Sequence, residues 1–375
     1  MRSEDRQRVK RWLRGLDWAL ISSALALGGW GVLMVYSSIS SKPNLLGLEL
    51  HWKQAYWMGY GIAAMVLVTL VDYHWLGRQA YLIYGLAVAS LLLVLGWGKV
   101  MYGAQRWLAL GGVRLQPAEF AKLAVILVLA RHFDTARVAG PWRLRHLAWP
   151  TALVALPCFL IARQPDLGTA AVIGLVYLVL LLVVGIERRT LLVGVGGGLA
   201  LLPTGWLLLK EYQKQRILTL LFPGSNPLGA GYQAIQSKIA IGSGGIWGKG
   251  LMAGTQSRLH FLPEKHTDFI FSVLAEELGM VGAVALLALL LLFLMRCFHA
   301  AERARDKLGC VLGAGIASTF ALYVVLNIGM TLGLVPIVGI PLPLLSYGGS
   351  ATVSTWLSIG ILLSIRMRRF TFSPF

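Results

Sequence analysis

Residues 261–271 read Phe-Leu-Pro-Glu-Lys-His-Thr-Asp-Phe-Ile-Phe and place four ionisable side chains directly before a long apolar segment. In chain order these side chains belong to Glu264, Lys265, His266 and Asp268. Only 13% of the chain is charged, and ionisable groups at the edge of an apolar segment are costly, so such a cluster is typical of a functional site. Asp268 has the chemistry of a general base for a nearby hydroxyl group. The alternative is a helix N-cap, in which Thr267 or Asp268 accepts a hydrogen bond from the helix backbone.

Charged residues also occur inside two of the apolar segments. Glu119 and Lys122 are three residues apart, which puts them on one face of a helix. A charged pair inside a membrane segment usually faces a cavity and binds or positions something, and the alternative is an ion pair that holds helices together. Glu276 and Glu277 are adjacent and point about 100° apart on a helix, so we expect at least one of them to have a partner inside the bundle.

Basic residues accompany the acidic ones in the segments between the apolar runs. They are Arg106, Arg114, Lys249, Arg258 and Lys265. Fixed cations at a membrane surface suit phosphate or pyrophosphate groups, and the alternative is a solvated rim. His260, Glu264 and His266 match no zinc-binding spacing, and the chain contains neither a catalytic Ser/His/Asp arrangement nor a G-x-x-x-x-G-K-[ST] phosphate loop. The spacing of these residues therefore predicts no metal site.

The elements that must position these residues are apolar segments of membrane-spanning length. Of 375 residues, 57% are hydrophobic, and about 20 apolar residues in a helix cross a bilayer core. Ten such segments occur, at 17–37, 54–72, 79–98, 117–133, 147–162, 167–186, 190–209, 268–295, 310–335 and 349–365. The sequence therefore predicts an all-α polytopic membrane protein, in which residues 1–375 form a single domain with about ten transmembrane helices.

The distribution of Lys and Arg predicts the topology. They are concentrated in the two tails, 1–16 and 366–375, and in the loops on the same side, so we expect both tails in the cytoplasm. Most of the net charge of +18 follows from this asymmetry, and nucleic-acid binding is not expected. The long loop 210–267, between the seventh and eighth helices, then lies on the outer side. Within it, 231–241 has helical spacing, and the glycine-rich stretch 242–250 predicts a turn that is buried in protein or lines a wet cavity.

Six stretches, in one order along the chain, carry a resemblance to a known family. They are 103–107 (GAQRW), 116–122 (QPAEFAK), 164–169 (QPDLGT), 229–250 (GAGYQAIQSKIAIGSGGIWGKG), 261–277 and 341–350 (PLPLLSYGGS). In these stretches the sequence resembles the SEDS family (shape, elongation, division and sporulation), and most of all its elongation branch. It departs from the family pattern at 223–227 and at Ala109, which affects the expected loop packing and partner contacts.

The resemblance implies a peptidoglycan glycosyltransferase of cell-wall elongation and rod-shape maintenance, in the bacterial cytoplasmic (inner) membrane, with its active site facing outside. Such an enzyme joins lipid II units into β-1,4-linked glycan strands and releases undecaprenyl pyrophosphate. Asp268 matches the family's essential aspartate and would take the proton from the attacking 4-hydroxyl group. An aspartate of ordinary pKa, about 4, is a weak base at neutral pH, so catalysis would also depend on cations that stabilise the departing pyrophosphate.

The resemblance also implies which residues bind the substrate. They are Arg106, Glu119, Lys122, Asp166, Arg258 and Lys265. Among them, Glu119 and Lys122 match the family's ion pair on the fourth helix, and Asp166 matches the acidic residue of a short outer turn. A divalent cation, Mg²⁺ or Mn²⁺, could bridge the pyrophosphate and an acidic residue, although no spacing in the chain demonstrates such a site.

The implied partners are lipid II, the nascent glycan strand, a class B penicillin-binding protein that crosslinks the strands, and the other elongasome proteins. Three alternatives stay open at this point. A lipid II flippase or other transporter would use Glu119 and Lys122 for translocation rather than for polymerisation. A noncatalytic scaffold would activate the penicillin-binding protein without needing Asp268. The division branch of the family is the alternative to its elongation branch.

Overall fold

The structure is a computed structural model that describes residues 15–39, 45–101, 104–110, 113–138, 140–222, 230–259 and 261–369. His260, residues 223–227 and the outer parts of both predicted tails lie outside the described residues. The helices, in chain order, are α1 (Trp18–Ile39), α2 (Leu45–Leu70), α3 (Tyr73–Arg78), α4 (Ala80–Trp97), α5 (Pro117–Thr135), α6 (Leu144–Arg163), α7 (Leu167–Val184), α8 (Arg188–Leu208), α9 (Glu211–Leu221), α10 (Ala230–Ser243), α11 (Thr255–Arg258), α12 (Ile270–Glu302), α13 (Lys307–Leu332) and α14 (Gly349–Arg368).

Long helices dominate the described part of the chain. Ten of its helices have 18 residues or more, and each coincides with one of the ten predicted apolar segments. Eight of the ten are long and apolar enough to cross a membrane. The other two, α2 and α5, are more polar, and α5 contains both Glu119 and Lys122. The predicted all-α polytopic class is confirmed.

A small antiparallel sheet lies between α4 and α5. Its strands β1 (Lys99–Met101), β2 (Ala104–Leu110) and β3 (Val113–Leu115) are arranged in the order β1-β2-β3. The central strand β2 pairs Gln105 with Val100 and Ala109 with Arg114. The sequence does not predict these strands, because runs of three to seven residues are too short for strand alternation to stand out from a loop.

The contact between α2 and α14 depends on glycines. A Cβ added to Gly61 of α2 would come within 2.5 Å of Cδ1 of Trp356, which is fully buried. A Cβ added to Gly360 of α14 would lie 2.7 Å from the backbone oxygen of Met65. The two helix backbones can therefore approach closely, as is usual for helices packed in membranes.

A proline inside α6 is compensated by a neighbouring helix. Pro157 has no N–H group, so the carbonyl of Leu153 lacks its helical partner. Tyr84 of α4 donates its hydroxyl proton to this carbonyl at 3.0 Å. Because lipid offers no hydrogen-bond donors, such a group has to be satisfied within the protein.

The helix that follows Asp268 is kinked at Gly279 of α12, where φ is +65°. The glycine-rich turn predicted at 242–250 docks against this kink. Backbone hydrogen bonds between the two run from Lys249 N to Glu276 O (3.1 Å), from Gly250 N to Glu277 O (2.9 Å), from Met280 N to Gly245 O (2.9 Å) and from Val281 N to Ile246 O (3.1 Å). The kink leaves some backbone N–H and carbonyl groups of α12 without hydrogen bonds inside the helix, and the turn supplies hydrogen-bonding partners for them. The long loop therefore binds both halves of α12, on either side of the kink.

Candidate functional site

Asp268 lies in the turn that leads into α12 and is half-buried. The N-cap residue of α12 is Phe269, and no side-chain hydrogen bond caps the helix there. The interpretation of Asp268 or Thr267 as the N-cap is therefore wrong. Within the described parts of the chain, no residue forms a hydrogen bond or ion pair with the carboxylate of Asp268. Its Oδ2 lies beside Gly339, where an added Cβ would be 3.2 Å away.

The surroundings of Asp268 change its acidity. Burial raises the pKa of Asp268 to about 7. Repulsion from Glu264 and Asp166 acts in the same direction, whereas attraction to Arg216 and Arg106 lowers this pKa. The expected ordinary value of about 4 is therefore wrong for this carboxyl group, because the fold removes water from it. A carboxylate with a pKa near 7 is well matched to accept a proton at neutral pH.

Arg106 of β2 is fixed across the turn that precedes α7. Its Nε donates to the carbonyl of Gln164 at 3.0 Å, and its Nη2 donates to the carbonyl of Pro165. Its Nη1 lies 3.8 Å from Oδ1 of Asp166, the N-cap residue of α7. The structure therefore brings Arg106 and Asp166 together, and the charges of both act on Asp268.

Glu119 and Lys122 form the predicted pair inside the bundle. Nζ of Lys122 lies 2.8 Å from Oε2 of Glu119 and also donates to the hydroxyl of Tyr323. Ser354 donates to the same oxygen of Glu119 at 3.3 Å. The paired residues are only 4% and 6% exposed, and they line a cavity of about 20 Å³, which has room for one water molecule. The contacts join α5, α13 and α14, which favours the interpretation as an ion pair that holds helices together.

Two other predicted cations have different surroundings. Arg258 ends the short helix α11 and is exposed. Lys265 is buried, with 7% exposure, and its charge acts on Glu277. The cations whose charges act most on Asp268 are instead Arg216 and Arg106.

Arg216 is the site residue that the sequence does not reveal. It lies on α9, inside the long loop, and it lines a second cavity of about 20 Å³ together with Lys238. In the sequence it is one of several cations in this loop, with Lys210 and Lys214 close by. Only the tertiary fold distinguishes it, by placing its charge near Asp268.

Glu276 and Glu277 both have partners, which confirms the expectation that at least one would. Oε1 of Glu276 lies 2.7 Å from Nζ of Lys249 and accepts a hydrogen bond from the hydroxyl of Thr255 at 3.1 Å. Glu277 accepts a hydrogen bond from the hydroxyl of Ser37 on α1. The two carboxylates therefore tie the long loop and α1 to the first half of α12.

The described residues contain no group of three or more His, Cys, Asp or Glu side chains that is arranged to hold a metal ion. His260, one of the three residues weighed for zinc, lies outside the described residues. The residues of this site therefore do not by themselves form a divalent-cation site, and Mg²⁺ or Mn²⁺ stays a prediction.

Comparison with known proteins identifies the family. The FtsW/RodA/SpoVE family model, described as "Cell cycle protein", matches residues 17–370. The chain belongs to this family. Peptidoglycan glycosyltransferase MrdB of Escherichia coli (strain K12) is 42% identical over 355 residues, which cover 94% of each chain. Peptidoglycan glycosyltransferase RodA of Treponema pallidum (strain Nichols) is 32% identical, and the match covers 96% of this chain and 99% of that protein.

Solved structures of the same family share the fold. A chain from a structure of a peptidoglycan synthase complex has a TM-score of 0.81 and 36% identity, and the match covers 95% of this chain and 99% of that chain. The rod shape determining protein RodA of Thermus thermophilus has a TM-score of 0.70 and 30% identity, with coverage of 95% and 98%. The resemblance to the SEDS family is therefore confirmed over nearly the whole chain.

Proposed function

We propose that this protein is a peptidoglycan glycosyltransferase that polymerises lipid II, with Asp268 as its general base. One observation carries the proposal: the carboxylate of Asp268 is half-buried, has no hydrogen-bonding partner among the described residues, and has its pKa raised to about 7. Because burial disfavours the ionised form of this carboxylate, it accepts a proton readily, which is the task of a general base. The reaction class is supported by the relatives named peptidoglycan glycosyltransferase, which match nearly the whole chain.

The reaction joins two sugars and breaks the bond to the lipid carrier. The 4-hydroxyl oxygen of the N-acetylglucosamine of an incoming lipid II attacks C1 of the reducing-end sugar of the growing strand. The new C–O bond forms as the bond between C1 and the pyrophosphate oxygen breaks, with inversion to a β-1,4 linkage. The hydroxyl proton passes to Asp268, and the electron pair of the broken bond leaves with undecaprenyl pyrophosphate.

The departing pyrophosphate gains negative charge, and cations near the site stabilise it. We assign this role to Arg106 and Arg216, whose charges already act on Asp268. Arg106 is held in place by the two carbonyls before α7, so little of its side-chain freedom remains to be lost in the reaction.

The other candidate binding residues have supporting roles in this proposal. Glu119 and Lys122, as a buried pair, hold the helices beneath the site instead of contacting the substrate. Asp166 caps α7 and lies against the guanidinium group of Arg106 on β2. The charge of Lys265 stabilises the carboxylate of Glu277 on α12. Arg258 is exposed, so in this proposal it contacts a charged headgroup directly.

Location and partner follow from sequence and similarity together. The concentration of Lys and Arg in the tails supports cytoplasmic termini, so the Asp268 end of the bundle faces outside the bacterial cytoplasmic membrane. The fold and the 30% identity shared with the rod shape determining protein RodA of Thermus thermophilus support the elongation role, and the division role stays the alternative, since a probable FtsW of Bacillus subtilis (strain 168) is 36% identical. The fold shared with a chain of a peptidoglycan synthase complex supports a class B penicillin-binding protein as partner.

A gel assay on fluorescent lipid II tests the proposal. Wild type, Asp268→Asn and the control Asp134→Asn would be purified and assayed with and without the penicillin-binding protein and a divalent cation. Asp134 lies at the far end of α5, in a half-buried ion pair with Arg131, so its substitution makes the same charge change away from the site. We expect polymer from wild type and from Asp134→Asn, and none from Asp268→Asn.

Two results would contradict the proposal. Normal polymerisation by Asp268→Asn would remove its role as the base. Transport of lipid II across liposomes by wild type, without any polymer, would favour a flippase instead. The cavity beside Glu119 and Lys122 has room for about one water molecule, so this cavity is too small to hold a lipid headgroup.

A further inference from the structure

We propose that Asn327 and Ser346 are positioning residues for glycosyl transfer, because they hold the backbone of Asp268 while leaving its carboxylate without a partner. This inference rests on the proposed role of Asp268 as the base. It concerns how that carboxylate is kept in place without losing its basicity.

Three consecutive carbonyl groups around Asp268 are each bound by a donor from elsewhere in the fold. The hydrogen bonds run from Tyr347 N to His266 O (2.9 Å), from Ser346 Oγ to Thr267 O (2.6 Å) and from Asn327 Nδ2 to Asp268 O (2.9 Å). The donors come from α13 and from the segment between α13 and α14. The backbone at the site is therefore fixed by segments that are distant in sequence.

Asn327 joins two segments with one amide group. It is fully buried, and its Nδ2 donates both to the carbonyl of Asp268 and to that of Ile340, the latter at 2.7 Å. Two carbonyl acceptors on the same atom require the amide nitrogen at that position. Ile340 follows Gly339, which lies against Oδ2 of Asp268. The amide of Asn327 therefore sets the spacing between Asp268 and the glycine beside its carboxylate.

The direction of the Ser346 hydroxyl is also fixed. Its Oγ accepts a hydrogen bond from Leu342 N at 2.8 Å, so its own proton is directed to the carbonyl of Thr267. The carbonyl of Ser346 accepts from Nε2 of Gln54 on α2 at 3.3 Å. Ser346 thus connects the turn of Asp268 to a helix of the bundle.

This arrangement solves a conflict between position and basicity. Donors placed directly on a carboxylate would fix its position, but they would also stabilise its ionised form and lower its pKa. Donors placed on the neighbouring carbonyls fix the position without that effect. Since the carboxylate of Asp268 has no partner among the described residues, its direction depends on its backbone, and hence on Asn327 and Ser346.

The test compares Ser346→Ala and Asn327→Leu with a matched control, Ser364→Ala. Ser364 is also buried, also accepts one hydrogen bond, from Arg368 at 2.6 Å, and also donates to a loop carbonyl, that of Val71 at 2.7 Å. Its hydroxyl therefore accepts one hydrogen bond and donates another, like that of Ser346, but it lies near the C-terminal end of α14. Ser346→Thr, which keeps the hydroxyl, serves as the rescue variant. Each protein would be assayed for kcat and KM on fluorescent lipid II, together with its thermal unfolding.

We expect Ser346→Ala and Asn327→Leu to lower kcat by about ten- to a hundred-fold with KM little changed, since small displacements of a reacting group have effects of this size. Ser346→Thr should restore most of the rate, and Ser364→Ala should lower the melting temperature but keep kcat. If Ser346→Ala matches Ser364→Ala in both melting temperature and kcat, the positioning role is overturned. If Asn327→Leu does not fold, the positioning role is judged from Ser346→Ala alone.

The failure of this inference differs from the failure of the proposed function. Asp268→Asn is assayed in the same series. An active Asp268→Asn overturns both proposals, because no base is then left to position. An inactive Asp268→Asn beside a normal kcat in both Ser346→Ala and Asn327→Leu overturns the positioning role alone.

Discussion

Two aspartates at opposite ends of the bundle have opposite surroundings. Asp17, directly before α1, is buried, and both of its oxygens accept hydrogen bonds from Arg296 of α12, at 2.7 to 3.2 Å. Nη1 of Arg366 on α14 lies 2.8 Å from the same carboxylate. In the described chain, Asp268 has no side-chain partner at all.

The difference shows where charge holds the fold together and where it is kept for chemistry. A carboxylate whose two oxygens are taken by guanidinium donors has few lone pairs left for a substrate. The Asp17 cluster uses its charge to connect the start of α1 with α12 and α14. At the other end, the fold binds Asp268 through its backbone and leaves its oxygens accessible to a reacting hydroxyl group.

The largest effects are expected from two single substitutions, Asp268→Asn and Asp17→Asn. Asp268→Asn should lower the polymerisation rate by about 100- to 10,000-fold, the usual contribution of a general base, without loss of thermal stability. Asp17→Asn should cost about 2–4 kcal/mol of unfolding free energy, less than for fully buried ion pairs, because its arginine partners are partly exposed. Its rate per folded molecule should stay near normal.

Lipid II gel assays, normalised to folded protein by gel filtration, measure both substitutions. A loss of rate in well-folded Asp17→Asn would show that the two ends of the bundle are coupled. A loss of stability in Asp268→Asn would show that its carboxylate also holds the fold together.

A second effect concerns Glu119 and Lys122, which resemble the Asp17 cluster in being paired. Glu119→Ala and Lys122→Ala each leave one buried charge without its counter-charge, at an expected cost of about 3–5 kcal/mol. The double variant should be more stable than the worse of the two single variants. Thermal unfolding in detergent measures all three, and simple additivity of the two single effects would count against direct pairing.

The long helices could be predicted from the sequence because each contains about 20 apolar residues, and such a run has few other conformations in a membrane. The sheet could not, because β1 and β3 have three residues each and are stabilised by pairing with β2 rather than by their own pattern. The glycine-rich sequence of 242–250 predicts a turn, but the docking of this turn at the kink of α12 depends on a tertiary contact.

The candidate site shows the same division. Short, distinctive motifs predict Asp268 and Arg106 as site residues, and the structure places their charges close enough to interact. The sequence does not distinguish Arg216 from the other cations of its loop, and it does not predict that Lys265 is buried. The sequence also does not predict the raised pKa of Asp268. All three depend on which distant segments fold against the site, and local sequence does not contain that information.

A third, smaller effect is expected at Gly339. Its φ is +70°, a conformation that other residues adopt only with strain, and an added Cβ would lie 3.2 Å from Oδ2 of Asp268. Gly339→Ala should therefore displace the carboxylate and lower kcat by about ten-fold. Gly140 is the matched control, because it also has a positive φ, +81°, but has open space around it. An equal loss of rate in Gly140→Ala would mean that backbone strain alone, and not the contact with Asp268, causes the effect.

The smallest expected effect is a shift of the pH profile. Asp268 accepts a proton only when it is ionised, and with a pKa of about 7 its ionised fraction falls as the pH is lowered through 7, so the polymerisation rate should fall with it. The charges that act on this group are those of Glu264, Asp166, Arg216 and Arg106. Glu264→Gln removes a repulsion and should move the acid side of the profile to lower pH, whereas Arg216→Gln removes an attraction and should move it to higher pH.

Each shift should be about half a pH unit or less, because Glu264 and Arg216 are exposed and salt screens their charges. The exposed Glu302 lies at the far end of α12, so Glu302→Gln should leave the profile unchanged. High salt should bring the three profiles together, since it weakens the charge interactions but not the burial that raises the pKa of Asp268. Shifts in the same direction for Glu264→Gln and Arg216→Gln would mean that the profile reports another group. The contrast between the two ends of the bundle would then no longer rest on the basicity of Asp268.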